Sequence, residues 1–354
     1  MRILLMVDPE IPVPPVTYGG IERIVDGLVR GLMRNGHDVA LIAREGSTCP
    51  ATRLFAWPGS TSQSVPDTLR NSWCLARAVW AFRPDVIHSF SRLAYLLPHL
   101  RGKRPIIMSY QREPSLRTVG LSARLAAPGI LTFTGCSEYI AARGRRAGGH
   151  WSAIPNFVDT ARLTFQPAVA RDAPLLFLSR VESIKGADMA IEIARRCGRR
   201  LLIAGNHAED GGEGAYWHDK IVPHLGRDGV DYVGPVDDIQ KDRLLGEAGA
   251  LLVPIQWNEP FGIVFAEALA CGTPVISCPR GALPEIVRHG QEGFLIETVD
   301  EACAAIAQLD DVDRAACRQR AEQEFSLEIG TQRYLRLYHQ LLGHSGSDDE
   351  RPRS

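Results

Sequence analysis

Two carboxylates, Glu259 and Glu267, stand eight residues apart in the stretch NEPFGIVFAEALACGTPVI (258–276). The stretch reads as a loop, a buried helix, a Gly turn and a buried strand. From Phe261 to Cys271 the residues are apolar on nearly every face, the mark of a helix inside a core. A lone carboxylate there is costly unless something hydrogen-bonds or neutralises it, so Glu267 needs a partner. Glu259 falls just before the helix, where the backbone N–H groups of Phe261, Gly262 and Ile263 are expected to be unpaired and to favour an anion or an oxygen-rich ligand. The two acids would lie about 10 Å apart along the axis, the span from sugar to ribose in a nucleotide-sugar. Spacing alone fits equally a core helix whose acids are a dipole partner and a salt-bridged stray.

The whole string closely resembles the E-x7-E signature of the retaining family-4 glycosyltransferases, and the resemblance extends over nearly the full chain. It implies an α/β architecture of the GT-B type, two Rossmann-like domains facing across a cleft. It also implies transfer of a sugar from a nucleoside-diphosphate donor, a UDP-sugar by expectation, to an acceptor hydroxyl. Glu267 would then hold the ribose and Glu259 would face the transferred sugar.

Further motifs match that family. Phe177-Leu178-Ser179-Arg180 reads as a strand delivering Arg180 to its C-terminal end, with Lys185-Gly186 five residues on. Two cations aimed at one site can neutralise a departing diphosphate, which is how the family works without a metal. Ser179 stands where Gly is usual. After the first strand, Tyr18-Gly19-Gly20-Ile21-Glu22 resembles the loop that touches the donor phosphate, with Gly19 and Gly20 allowing close backbone approach. Gly205 fits a close approach to the nucleotide, and Val233-Gly234-Pro235-Val236 resembles the segment that reads the base, so Val236 joins the expected binding residues. The main departure is Gln111, which falls where many relatives carry a His near the donor sugar. Its amide does not titrate, so it could orient a sugar but not act as a base. Arg112 and Glu113 are candidates for acceptor contacts or equally for surface ion pairing, and His88 reads as a satisfied core histidine.

The surrounding elements alternate short apolar runs with helical patterns, which argues for βα units and parallel sheets. Strands are expected at 3–7, 39–43, 85–88, 106–109 and 131–135, then at 175–179, 201–204, 232–233, 251–253 and 275–277. The helices expected between them include 20–35, 68–82, 93–101, 138–144, 187–197, 239–248 and 261–270. The boundary is placed in IPNFVDTARLTFQP, giving an acceptor-side domain over 1–158 and a donor domain over 159–325. A last helix at 326–342 is expected to return to the first domain, with a disordered tail over 343–354. Gly-rich EDGGEGAYWH (209–218) reads as a mobile loop.

Composition bounds the rest. The 354 residues carry a formal charge of −1, which gives no footprint for nucleic acid. The eight cysteines form no CxxC pair, so reduced thiols in a cytoplasmic protein are expected. Asp311-Val312-Asp313 has DxD form but precedes a helix and reads as a cap. His207 and His218 make no ligand pattern, so neither a metal nor a cofactor is expected. No apolar run reaches bilayer length. That leaves room for peripheral membrane contact, although Arg143, Arg145 and Arg146 read as a solvated helix end. Two other classes share the architecture and stay open here, a UDP-sugar 2-epimerase and a non-catalytic binding subunit. The second is motivated by Gln111.

Overall fold

The computed structural model describes residues 1–16 and 19–346. The chain divides into two units, Met1–Phe157 with the segment from Leu327 onward, and Val158–Ser326. The first unit holds strands β1 (Arg2–Met6), β2 (Asp38–Ala43), β3 (Arg53–Ala56), β4 (Val86–Ser89), β5 (Ile106–Tyr110), β6 (Leu131–Gly135) and β7 (His150–Ala153). They form one parallel sheet in the order β3-β2-β1-β4-β5-β6-β7. Runs such as Ile3-Leu4-Leu5-Met6 are buried on both faces, as an α/β sheet covered by helices demands. Its helices are α1 (Gly20–Arg34), α2 (Val65–Phe82), α3 (Leu93–Leu96), α4 (Leu116–Leu125) and α5 (Glu138–Arg145).

The second unit repeats the plan with β8 (Leu175–Leu178), β9 (Leu201–Ala204), β10 (Val230–Gly234), β11 (Ala250–Val253), β12 (Val275–Ser277) and β13 (Gly293–Leu295), in the order β10-β9-β8-β11-β12-β13. Its helices are α6 (Ala187–Arg196), α7 (Gly211–Tyr216), α8 (Asp238–Glu247), α9 (Ile263–Ala270), α10 (Leu283–Ile286), α11 (Val299–Ala307) and α12 (Arg314–Phe325). In both sheets the strand order reverses beside the first strand, between β1 and β4 and between β8 and β11. Loops leaving the C-terminal ends of those strand pairs diverge and open a crevice for a ligand.

The last helix, α13 (Leu327–Gly346), belongs to the first unit and packs on α1. Small residues let the two approach: a Cβ at Gly31 would lie 2.1 Å from Thr331 Oγ1, and one at Gly27 would lie 3.3 Å from Leu327 Cδ1. α13 runs four residues beyond the point where the polar tail was expected to begin, and 347–354 lie outside the described residues. The helix also brings Tyr334 and Tyr338 against His88. The imidazole is fully buried, with Nδ1 2.7 Å from the Tyr338 hydroxyl and Nε2 2.6 Å from Ser109 Oγ. It is the core histidine its strand position suggested.

Several elements differ from the sequence expectation. β3, β7 and β13 are additional edge or near-edge strands; β3 and β7 are mostly exposed or half-buried and lack a long apolar run. The expected helix 93–101 stops at Leu96 and tightens into a 3₁₀ turn over Leu97–His99, where Pro98 withholds an N–H. The Gly-rich 209–218 stretch is not a loop. It forms α7 and runs into a π turn over Trp217–Ile221, anchored by buried Trp217 stacked on His207 with centroids 3.9 Å apart. Asp313 caps α12 by accepting from Ala315 N at 2.8 Å.

Burial holds His88 neutral and lowers its pKa from 6.5 to about 3. The unfolded chain therefore binds this proton first as pH falls. The contribution of His88 to stability is complete above pH 6.5 and is lost as pH drops toward 3, at up to about 1.4 kcal/mol per pH unit. In denaturant melts across that range, His88→Gln should show a shallower acid slope than the wild type. Identical slopes would contradict this account of the buried ring.

Candidate active site

The switch point of the second sheet gathers most of the residues singled out from the sequence. Beyond β8 the chain passes Arg180 and forms a 3₁₀ turn over Ser183–Lys185, ending at Gly186 with φ +76°. A Cβ there would sit 2.2 Å from the Pro254 carbonyl oxygen, so glycine lets this turn lie against the segment leaving β11. Gln256 N donates to Ile184 O at 2.8 Å and locks the two together. Lys185 then meets Glu259, Nζ to Oε2 at 2.6 Å, with both side chains only 11% exposed. Trp257 Nε1 donates to the same oxygen at 2.9 Å, and its ring lies 4.7 Å from the ammonium. Both bonds end on Oε2 and neither uses Oε1.

The loop carrying Glu259 is clamped from a second side. Gly281 has φ +62°, and a Cβ on it would fall 2.2 Å from Glu259 O and 2.4 Å from Glu259 N. Ala282 N donates to Glu259 O at 2.9 Å. The helix that follows is shorter than expected: α9 begins at Ile263, with Gly262 as its left-handed cap at φ +83°. Phe261 and Gly262 therefore do not supply its first N–H groups. Those belong to Ile263, Val264 and Phe265, and the last is bonded to Gly262 O. Phe261 is buried edge-on against Phe325, centroids 5.7 Å apart.

Glu267 has the partner its burial requires. Lys241 on α8 reaches Glu267 Oε1 at 2.5 Å and Asp238 at 3.3 Å. Arg180 pairs with Glu182, so both expected cations already face a carboxylate. Gly205 is required by the fold itself: with φ +138°, a Cβ would stand 1.9 Å from Ser179 O. Val236 is half-buried and immediately precedes the Asp237 capping box of α8.

In the first unit, Gly19 caps α1 and Gly20 opens it, while Tyr18 lies outside the described residues. A Cβ on Gly19 would collide with Pro15 at 2.6 Å. The helix start is acidic rather than plainly anion-binding. Glu22 is buried near Asp8 and Glu10, and burial with those two charges pushes its carboxyl up to about 7. Asp8, also raised chiefly by burial, accepts from Ser91 Oγ at 2.6 Å and faces Arg112 at 3.5 Å. Beside this group, beyond β4 and β5, opens a cavity of about 390 Å³ lined among others by Phe90, Arg92, Leu93, Leu97, Gln111 and Leu121. Gln111 Oε1 accepts from Asn156 Nδ2 at 2.6 Å, while its buried Nε2 has no protein partner. Glu113 pairs with Arg143, and Arg145 pairs with Glu138.

Comparison with known proteins now decides the family. The model "Glycosyl transferases group 1" matches residues 163–323, and "Glycosyltransferase Family 4" matches residues 18–162. The chain belongs to the family-4 GT-B glycosyltransferases. This glycosyltransferase is 27% identical to glycogen synthase from Mycobacterium tuberculosis, over its whole length and 97% of the relative. It is 27% identical to AviGT4, a glycosyltransferase involved in avilamycin A biosynthesis, with a TM-score of 0.72 over 97% of this chain and 98% of that one. The fold is also that of Anabaena HepE in complex with UDP, at 20% identity and a TM-score of 0.74 over 96% and 100% of the two chains.

Trp257, Lys241 and Gly281 were not found from the glycosyltransferase's sequence, and Asn156 was read only as part of the domain boundary. Trp257 stands two residues before Glu259, and that proximity was the only local signal. Lys241 and Gly281 act through contacts that only the fold creates. The buried Lys185–Glu259 pair generates a test. Removing one partner leaves an uncompensated charge, so Lys185→Met alone should cost about 3–5 kcal/mol, and adding Glu259→Gln should recover much of it. A double-mutant cycle in urea should return a coupling of about 2 kcal/mol or more, whereas additive losses would show that the two charges do not depend on each other.

Proposed function

We propose that this glycosyltransferase moves a sugar from a UDP-sugar to an acceptor hydroxyl with retained anomeric configuration, in the cytoplasm and without a metal ion. The observation that carries the reading is the Lys185–Glu259–Trp257 cluster at the β8/β11 switch point. Lys185 and Trp257 fix one carboxylate oxygen, which leaves Oε1 to accept a hydroxyl of the donor sugar. Glu267 offers the analogous arrangement, Oε1 held by Lys241 and Oε2 for the ribose.

The diphosphate is recognised by directed hydrogen bonds rather than by raw charge, because Arg180 and Lys185 each have a carboxylate neighbour. As the sugar–phosphate bond breaks, negative charge grows on the leaving oxygen. The guanidinium, the ammonium and the first N–H groups of α9 stabilise it there, a preorganised donor set of the kind that supplies most of a transfer rate. The leaving phosphate oxygen takes the acceptor proton as the new glycosidic bond forms on the same face. Gln111 then needs only to orient a substrate, which suits an amide that does not titrate. The cavity of the first unit fits the acceptor, with the unpartnered Gln111 Nε2 as a donor to one of its oxygens.

Glu267→Ala should weaken UDP affinity about tenfold or more by calorimetry, since it removes a charged acceptor from two hydroxyls. Unchanged affinity would overturn that role. Turnover of the preferred donor should survive EDTA; loss restored by magnesium or manganese would overturn the metal-free mechanism.

A further inference from the structure

Helix α2 turns an apolar face outward. Its inward side is buried in the usual way by Asn71, Leu75, Ala78, Val79 and Phe82. At 100° per residue, the opposite side carries Val65, Leu69, Trp73 and Trp80, which are 73%, 68%, 68% and 78% exposed. A solvated helix normally puts charged residues there. The only acid on α2, Asp67, is buried on the other side. Arg70 and Arg77 flank the apolar strip.

The charge beside the strip is one-sided. Arg77, Arg83 and Arg104 have no carboxylate partner among the described residues. At the C-terminal half of α2, Trp80, Arg83, Arg104 and His99 line a cavity of about 360 Å³, into which a phosphate would fit. His99 Nε2 in that lining is buried without a protein partner. Near the N-terminal half, Arg92 donates to Thr68 Oγ1 at 3.4 Å and joins α2 to α3, whose neighbour Leu97 is 49% exposed and also lines the larger cavity. Exposed tryptophans bordered by arginines that lack a carboxylate partner match a headgroup layer that is apolar below and anionic above. A second copy of the chain would place this basic border against itself.

We propose that the outward face of α2 seats on an anionic phospholipid surface, with Trp73 and Trp80 entering the headgroup layer and Arg77, Arg83 and Arg104 taking its phosphates. The reading stands apart from the donor chemistry and would survive its failure.

The test is flotation of the full chain with phosphatidylcholine vesicles, with and without phosphatidylglycerol, read together with tryptophan fluorescence. The wild type should float with the anionic vesicles, and its emission should be quenched by brominated lipid. Trp73→Ser with Trp80→Ser should lower partitioning about tenfold or more and abolish the quenching. Arg77→Gln with Arg104→Gln should lower it roughly thirtyfold. Far-UV circular dichroism checks that these variants fold, and the wild-type lipid comparison stands without them. Equal binding to neutral and anionic vesicles, or binding to neither, would overturn the proposal. So would a dimer seen by light scattering that the tryptophan variant dissolves while vesicles leave the wild type untouched.

Discussion

A buried ammonium and carboxylate, Lys185 and Glu259, tie together the two loops that leave the β8/β11 switch point. Neither charge is tolerable alone at that depth, and each makes the other affordable only at one geometry. Much of the local sequence serves that geometry. Gly186 brings the lysine turn against Pro254, Gly281 brings a second segment against the Glu259 backbone, and Trp257 fixes which carboxylate oxygen is occupied. The interaction is best read as an orienting device. It costs desolvation and holds one oxygen of Glu259 in place while the other keeps its lone pairs.

The two sheets use one topological device with different chemistry. In the second unit the switch point is lined by paired cations and the start of a short apolar helix, suited to an oxygen-rich anion. In the first unit the corresponding loops carry half-buried Asp8 and buried Glu22 beside a largely apolar cavity. An acidic, part-apolar edge is poorly suited to a diphosphate and better suited to a neutral or hydroxyl-bearing molecule. Under the proposed function, the same architecture would divide the transfer into a donor half and an acceptor half by side-chain substitution at strand ends.

Much of the fold was legible because parallel strands buried on both faces are continuous apolar runs. Leu131–Gly135, Leu201–Ala204 and Val275–Ser277 were bounded to the residue. Edge strands such as Arg53–Ala56 were not, since three of its four residues are exposed and carry no pattern. The Gly-rich 209–218 stretch misled because composition says nothing of the Trp217–His207 stacking that orders it. At the site, Glu259, Glu267, Arg180 and Lys185 were visible as residue types at motif spacing. That Glu259 and Lys185 face each other, and that Glu267 is met by Lys241, could not be read. These are contacts between segments 74 and 26 residues apart that only the sheet order creates.

The central claim is that the Lys185–Glu259 pair serves the donor and not only the fold. The direct measurement is donor turnover, as UDP release from the preferred UDP-sugar, by the charge-free double variant Lys185→Met, Glu259→Gln at a denaturant-verified folded fraction equal to the wild type's. The account predicts a folded protein whose turnover falls about a hundredfold or more, as expected when preorganised donors are lost from a developing oxyanion. A folded double variant that releases UDP at the wild-type rate would contradict it.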